Sequence, residues 1–495
     1  MAKSREKGSR RKGCVIPAAS IALIIAIFVG RELYLAISAT PGSAVDYSAK
    51  IAELVKAYQP DRRAGDTALD ENGWDALLDV IDAYDAAAVA IAENPAGIDW
   101  DVAFKVVSDP SSHNAERDEY PLDRYVSTAE QALIALDDQG IYEHLDRLTV
   151  ADRYARPLPA NGTLLFLPIT ELKTLRSLAR AVTLRLRRAS DQHDDAAEVR
   201  AVVHGLALAK AVSHQHMLID RIFGMAAGDL ILRDLRAALT ARPLPEKELD
   251  QIADALDRFR FPAMRLAIEG EWLVVLDTIQ WSHTDSGRGD GRLITSRIQL
   301  DGILGRIPTN TTIGSTFVNL ASIAYPSKKQ TTEQANLLFG WMIDQLELTR
   351  QQRVGRIPSY GDMLDTLPER QVILQLTLPA FTQALWAEDQ FQTTYAGTRI
   401  MVAIERFNAR NGRYPYSLDD LVPDFLPSLP ADSFAPDCRF IYGKIDPEAD
   451  EFSRPYTLYS VGYDQNDDNG IIRYKENILA FGAQASGIDY VFNLP

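Results

Sequence analysis

Phe407–Pro427 reads FNARNGRYPYSLDDLVPDFLP. Just upstream, Tyr395 to Arg410 places Ala396, Ile400, Ala403, Ile404 and Phe407 at three- and four-residue spacing, which predicts a helix with one apolar face. Asn411-Gly412 predicts its stop, because these residues accept the left-handed backbone that caps a helix C-terminus. Downstream, Arg439–Gly443, Tyr456–Gly462, Ile471–Tyr474 and Asp489–Phe492 are short β-type runs divided by turn residues. A helix followed by three or four short strands predicts a small α+β unit over residues 390–495.

Upstream of this unit the pattern is helical from 47 to 370, as one domain or as two divided near 155–165, where prolines and Gly162 interrupt it. Trp74–Glu93 sets Leu77, Val80, Ile81 and Tyr84 on one face. The clearest helix follows Thr170, a predicted N-cap, with Leu172, Leu175, Leu178, Val182 and Leu186 as its apolar stripe and Lys173, Arg176, Arg180 and Arg187 opposite. A second helix from Ala196 to Ala211, carrying Ala207, Ala209 and Ala211, predicts a close helical hairpin of the tetratricopeptide kind, although no second copy recurs at a fixed period. Pro243 and Pro245 open another helix, Trp272–Thr278 and His283–Arg292 read as irregular, Thr332–Arg353 is helical, and Pro358–Asp365 reads as a break. The fold class is therefore mostly α, with hairpin-stacked helices and an α+β end.

The N-terminus differs from all of this. Residues 1–12 carry Lys3, Arg5, Lys7, Arg10, Arg11 and Lys12 against Glu6 alone, and residues 13–37 contain the uncharged run CVIPAASIALIIAIFVG. That run is near the lower limit for crossing a hydrocarbon core, and Arg31 and Glu32 can snorkel while the helix continues to Ile37. The basic tail predicts a cytoplasmic N-terminus and export of the remainder, with the chain held in a bacterial inner membrane by a single span. A cleaved signal peptide also fits, since Gly42-Ser43-Ala44 offers small residues, but the length of the apolar run favours the anchor. With the basic tail set apart, the remainder is more acidic than the whole chain's −16, which argues against nucleic acid and for cations or basic protein partners. The two cysteines, Cys14 and Cys438, predict no stabilising bridge.

The string from Asn411 to Tyr442, NGRYPYSLDDLVPDFLPSLPADSFAPDCRFIY, followed by YSVGYDQNDDNG from Tyr459, resembles the globular head of type II secretion major pseudopilins and of uncharacterised bacterial envelope proteins that share it. The resemblance implies that Asn411, Gly412, Tyr414 and Pro415 lead out of the helix and that Leu418 and Leu421 belong to a short helix. It further implies that Pro430, Asp432 and Phe434 turn the chain into the sheet, and that Ser460, Gly462 and Asp464 open a calcium-holding loop. In those proteins the apolar stem runs directly into the head, after a processing glycine and with a glutamate at the fifth mature position. Here the span lies far upstream, and Ala18 stands where that glutamate belongs.

Read as chemistry, Asp464–Gly470 (DQNDDNG) concentrates Asp464, Asn466, Asp467 and Asp468, hard oxygen donors of the kind calcium takes. Asn469 and Lys475 replace the glycine and the closing glutamate of an EF-hand, which rules that fold out and leaves a simpler loop site open against an acid-rich solvated turn. His214 and His216 are two apart on a predicted helix, so they point apart and read as solvated or capping residues rather than zinc ligands. Gly287-Arg288-Gly289-Asp290-Gly291 lacks the lysine and hydroxyl residue of a phosphate loop and reads as a flexible loop. The stripe Lys173, Arg176, Arg180, Arg187 fits either a solvated face or an acidic partner. No catalytic motif and no organic cofactor motif appears, so a non-enzymatic scaffold or interaction protein of the envelope is expected. An envelope enzyme with its site in the helical domain, or a secretion-system subunit, stands as the alternative.

Overall fold

The computed structural model describes residues 30, 45–58, 72–91, 98–109, 120–151, 154–159, 163–167, 171–284, 291–294, 325–353, 358–378, 381–470 and 489–494. The expected span at 13–37 therefore lies outside the described residues apart from Gly30, as do Thr170, Gly287–Asp290 and the run Ile471–Tyr474. Among the described residues no helix is long and apolar enough to cross a membrane.

The chain is mostly helical. In order, the helices are α1 (Tyr47–Ala57), α2 (Gly73–Ile91), α3 (Trp100–Ser108), α4 (Leu122–Asp138), α5 (Ile141–Thr149), α6 (Glu171–Asp191), α7 (Asp195–Ser213), α8 (Leu218–Ala241), α9 (Glu246–Arg258) and α10 (Met264–Ser282). Then come α11 (Lys328–Leu346), α12 (Arg350–Arg353), α13 (Tyr360–Asp365), α14 (Val372–Thr377) and α15 (Phe381–Asn411). Contacts divide the chain into two compact units, one of residues 1–45, 276–335 and 368–377, the other of 46–275, 336–367 and 378–495. In the smaller unit His283 bridges to Leu293, and Val45 exchanges two hydrogen bonds with the Gln280 side chain.

The larger unit is built on α6, α7 and α8, each packed on the other two. Asp194 starts α7 by accepting from the Ala197 amide at 3.0 Å, an aspartate N-cap beside a tight turn at 192–194. The close approach of α7 and α8 depends on glycine. A Cβ on Gly205 would lie 2.6 Å from Ile231, and one on Gly224 would lie 1.9 Å from the Ser213 hydroxyl and 2.7 Å from the Ala209 carbonyl. The hairpin expected from Ala207, Ala209 and Ala211 is the α6–α7 pair, which does pack; at the next crossing, α7 on α8, glycine on each helix lets the backbones approach closely.

Three sequence expectations are corrected. Trp272–Thr278 is regular, lying within α10, because a helix buried on several sides loses the one-faced pattern that marks a helix in sequence. Pro358–Asp365 is more than a break: Ser359 and Asp362 form a reciprocal capping box that starts α13. The helix expected from Tyr395 begins at Phe381.

After α15, Gly412 takes a positive φ of 65° and its amide returns to the Asn408 carbonyl at 2.8 Å, so the helix stops where Asn411-Gly412 predicts. Leu418–Leu421 is a single 3-10 turn, with Leu421 buried and Asp420 accepting the Tyr416 amide at 2.7 Å. An antiparallel sheet follows, ordered β1 (Ile441–Lys444), β2 (Tyr456–Ser460), β3 (Tyr490–Val491), with Ile441 opposite Tyr459 and Tyr459 opposite Val491. α15 packs on β2, and it also packs on α8 and α9, so residues 378–495 belong to the same compact unit as 46–275.

Candidate functional site

The loop after β2 is a succession of tight turns, with positive φ at Gly462, Gln465, Asn469 and Gly470. Its acids make those turns. Asp464 Oδ1 accepts the Asn466 amide at 3.1 Å, and Asp467 Oδ1 accepts the Asn469 amide at 2.8 Å and the Tyr459 hydroxyl at 3.0 Å. Short acidic side chains bonding the backbone two residues on are a standard way to build such turns. Asn466 is exposed, whereas Asp468 Oδ2 is buried with no hydrogen-bond partner.

A residue that the sequence reading left out completes the loop: Asp489, at the entrance to β3, accepts the Gly470 amide at 2.7 Å. Burial pushes its carboxyl up to about 6, the Gly470 and Asp468 amides oppose that, and the Asp467 and Asp468 carboxylates push it further up. The Asp467 and Asp468 carboxylates thus repel a charge on Asp489, a repulsion of the kind a nearby cation relieves. Even so, among the described residues no group of three or more histidine, cysteine, aspartate or glutamate side chains stands ready to hold a metal ion. Asp489 was legible only as the start of a strand run; its closeness to the loop comes from the β2–β3 pairing.

A second concentration of charge lies inside the helical layers, around the turn from α7 to α8. Arg156 and Asp220 form a buried bidentate pair, Nη1–Oδ2 at 3.0 Å and Nη2–Oδ1 at 2.8 Å, and the guanidinium lies 4.6 Å over the Trp74 ring. Gln215 accepts the Arg156 amide at 3.1 Å and donates to the Tyr154 and Ala211 carbonyls. Glu271 of α10 accepts the Leu218 amide at 2.9 Å, supplying from another helix the cap that α8 lacks locally. Burial pushes the Glu271 carboxyl up to about 7; the Leu218 amide opposes this and Asp220 adds to it.

His214 and His216 are here too, and neither is solvated. α7 ends at Ser213, so both residues lie beyond the helix on which they were expected. His214 caps α7, its amide and Nδ1 both directed at the Lys210 carbonyl, while His216 Nε2 is buried without a partner. Burial, then nearby cations, holds both rings down to about 3, which keeps them neutral near pH 7. This cluster converges acids and histidines, as a catalytic centre would. Yet Asp220 is 0% exposed and His216 2%, and the acids are committed to Arg156 and to a helix end. What the arrangement does chemically is fix segment 154–156 against the α7–α8 turn.

Arginines join α15 to its neighbours in the same manner. Arg221 of α8 pairs with Glu388 at 2.7 Å, and Arg236 donates to the Thr398 hydroxyl at 2.9 Å and the Tyr490 hydroxyl at 2.7 Å. From α15, Arg399, Arg406 and Arg410 reach Asp257, Asp250 and Glu246 of α9 at 2.6 Å each. Arg350 of α12 stacks on Phe434 and Tyr463, 4.6 Å from each ring. Two residues of the basic stripe of α6 meet acids within the chain, Arg187 pairing with Asp234 and donating to the Val107 and Ser108 carbonyls at the end of α3 and Lys173 lying 3.3 Å from Asp101, while Arg176 stacks over the Phe223 ring. Asp432, 0% exposed, accepts the Phe434 amide at 2.9 Å, so it is a buried turn former at the entry to the sheet. No family model, no curated protein and no solved structure matches the chain.

Proposed function

We propose that this chain is a membrane-anchored scaffold or interaction protein of the bacterial envelope, with residues 13–37 as its single span and the bulk outside the cytoplasm. Its C-terminal α+β part acts as a pilin-like head. The observation that carries this reading is the use made of its buried charges. Arg156–Asp220, Arg221–Glu388, Arg236 with Thr398 and Tyr490, and Arg187–Asp234 all join one element to another, which suits a rigid carrier of surfaces better than a reaction centre. The basic residues before the apolar run support the orientation. A periplasm-dependent phosphatase fused after Pro495 should be active in intact cells. Activity from a cytoplasm-dependent reporter at the same junction would overturn the topology.

Calcium is the cofactor of this reading, held by the loop of Asp464, Asn466, Asp467 and Asp468 with Asp489 beside it. Repulsion of the Asp489 carboxylate by Asp467 and Asp468, and the unpartnered Asp468 Oδ2, support it. Calorimetric titration of the detergent-solubilised full chain with calcium should give saturable heat that Asp468→Ala and Asp464→Ala reduce at least tenfold in affinity. Equal heats for wild type and both variants would remove the metal and leave the scaffold reading standing.

A further inference from the structure

Glu405 lies on α15 where the helix is covered by β2 and by the corner that follows Gly412. The residue is 5% exposed, and its carboxyl accepts the Tyr456 hydroxyl at 2.8 Å and the Tyr414 hydroxyl at 3.5 Å. The Tyr456 ring lies 5.3 Å from that of Tyr414 and 5.7 Å from that of Tyr442, and the Tyr442 hydroxyl donates to the Pro415 carbonyl at 2.8 Å. One carboxyl thereby ties the helix to the corner and to β2, while Tyr442 of β1 stacks on Tyr456 and bonds the corner.

The groups facing it are Tyr414 from the corner, Tyr442 from β1 and Tyr456 from β2. All three phenols have their pKa raised, burial first and the Glu405 charge next, so they offer hydroxyls and no positive charge. On α15 itself, Arg399, Arg406 and Arg410 turn to the acids of α9. A buried carboxylate with hydrogen bonds and no cation is costly compared with its neutral acid.

We infer that Glu405 is a proton latch: protonated, it closes the seam between α15 and the sheet, and its ionisation loosens that seam. Burial pushes the carboxyl up to about 7, with the Tyr456 and Tyr414 hydroxyls opposing. The closed seam therefore holds the proton more tightly than an opened, hydrated one, whose carboxyl titrates near the ordinary 4.5. The stability due to the proton is complete below about 4.5, falls as pH rises, and is gone above about 7. Across that window the opening constant grows about tenfold per pH unit.

Hydrogen exchange of the full chain at pH 5 and pH 7, corrected for intrinsic rates, tests this at peptides from 400–411 and 456–460. Wild type should open at least tenfold more at pH 7, and Glu405→Gln should cut that difference severalfold. Glu271→Gln should leave it in place, since Glu271 caps α8 and makes no bond to the sheet. Equal pH dependence in wild type and Glu405→Gln, or none in wild type, overturns the latch. Should Glu405→Gln not fold, Tyr456→Phe decides: loss of a hydroxyl that favours the ionised form must raise the midpoint of the pH profile, and an unmoved midpoint overturns the latch.

Discussion

Asp220 shows how a single side chain can hold several segments. Its carboxylate is buried against Arg156, which in turn lies over Trp74 and is fixed by Gln215. Removing one member of such a pair leaves the other charge buried alone, at a cost of about 3–5 kcal/mol. Asp220→Ala should therefore lower unfolding stability by about that much in a denaturant titration, and Arg156→Met with Asp220→Leu should recover most of the loss, because the apolar pair leaves no stranded charge. Nearby, Glu271 adds a pH term of defined sign. Its carboxyl, held up to about 7, stabilises the fold fully below about 4.5, and that contribution disappears as pH rises through about 7. Stability measured between pH 5 and pH 7 should fall less steeply in Glu271→Gln than in wild type.

Among the elements, the α7–α8 crossing depends on what is missing from its surface. Gly224→Ala would press a methyl group onto the Ala209 carbonyl, so it should destabilise by about 1–3 kcal/mol and lower the melting temperature. Gly340 of α11 has nothing within 4 Å of the corresponding position, and Gly340→Ala should stabilise by about 0.4–1 kcal/mol in the same melting experiment. This contrast also marks what the sequence made legible. The α6 stripe and the Asn411-Gly412 stop were readable because each rests on local spacing or local backbone chemistry. α10 was not, since burial on several sides erases periodicity, and the first half of α15 was missed because its burial is divided among Trp341 and Tyr360, Arg221 of α8 and the Phe261 ring. Glu405 carried a readable sign: Thr398, Met401, Val402 and Glu405 form a second buried stripe on α15, and a carboxylate at the end of such a stripe must find partners inside. The partners themselves, like the approach of Asp489 to the loop at 464–470, come from pairings between distant segments, which no local pattern encodes.

For the whole molecule, the joining of 46–275 to 378–495 within one unit matters most. Interleaved arginine bonds and the Tyr395 hydroxyl bond to the Leu256 carbonyl join α15 to α8 and α9. The two parts should consequently unfold together: hydrogen exchange in α3 and in β2 should report the same opening free energy at pH 5, where the Glu405 seam is closed. Distinct values there would mean separate cooperative units.

Gly397 leaves a notch in α15, and the Phe492 ring fills it so closely that an added Cβ would lie 2.1 Å from that ring. Because a chain is made from its N-terminus, the notch is synthesised long before its plug. A half-made molecule has α15 with one flank bare, open to chaperones until the β3 segment arrives. Closure at that point turns a late arrival in translation into the step that commits the chain to its finished shape.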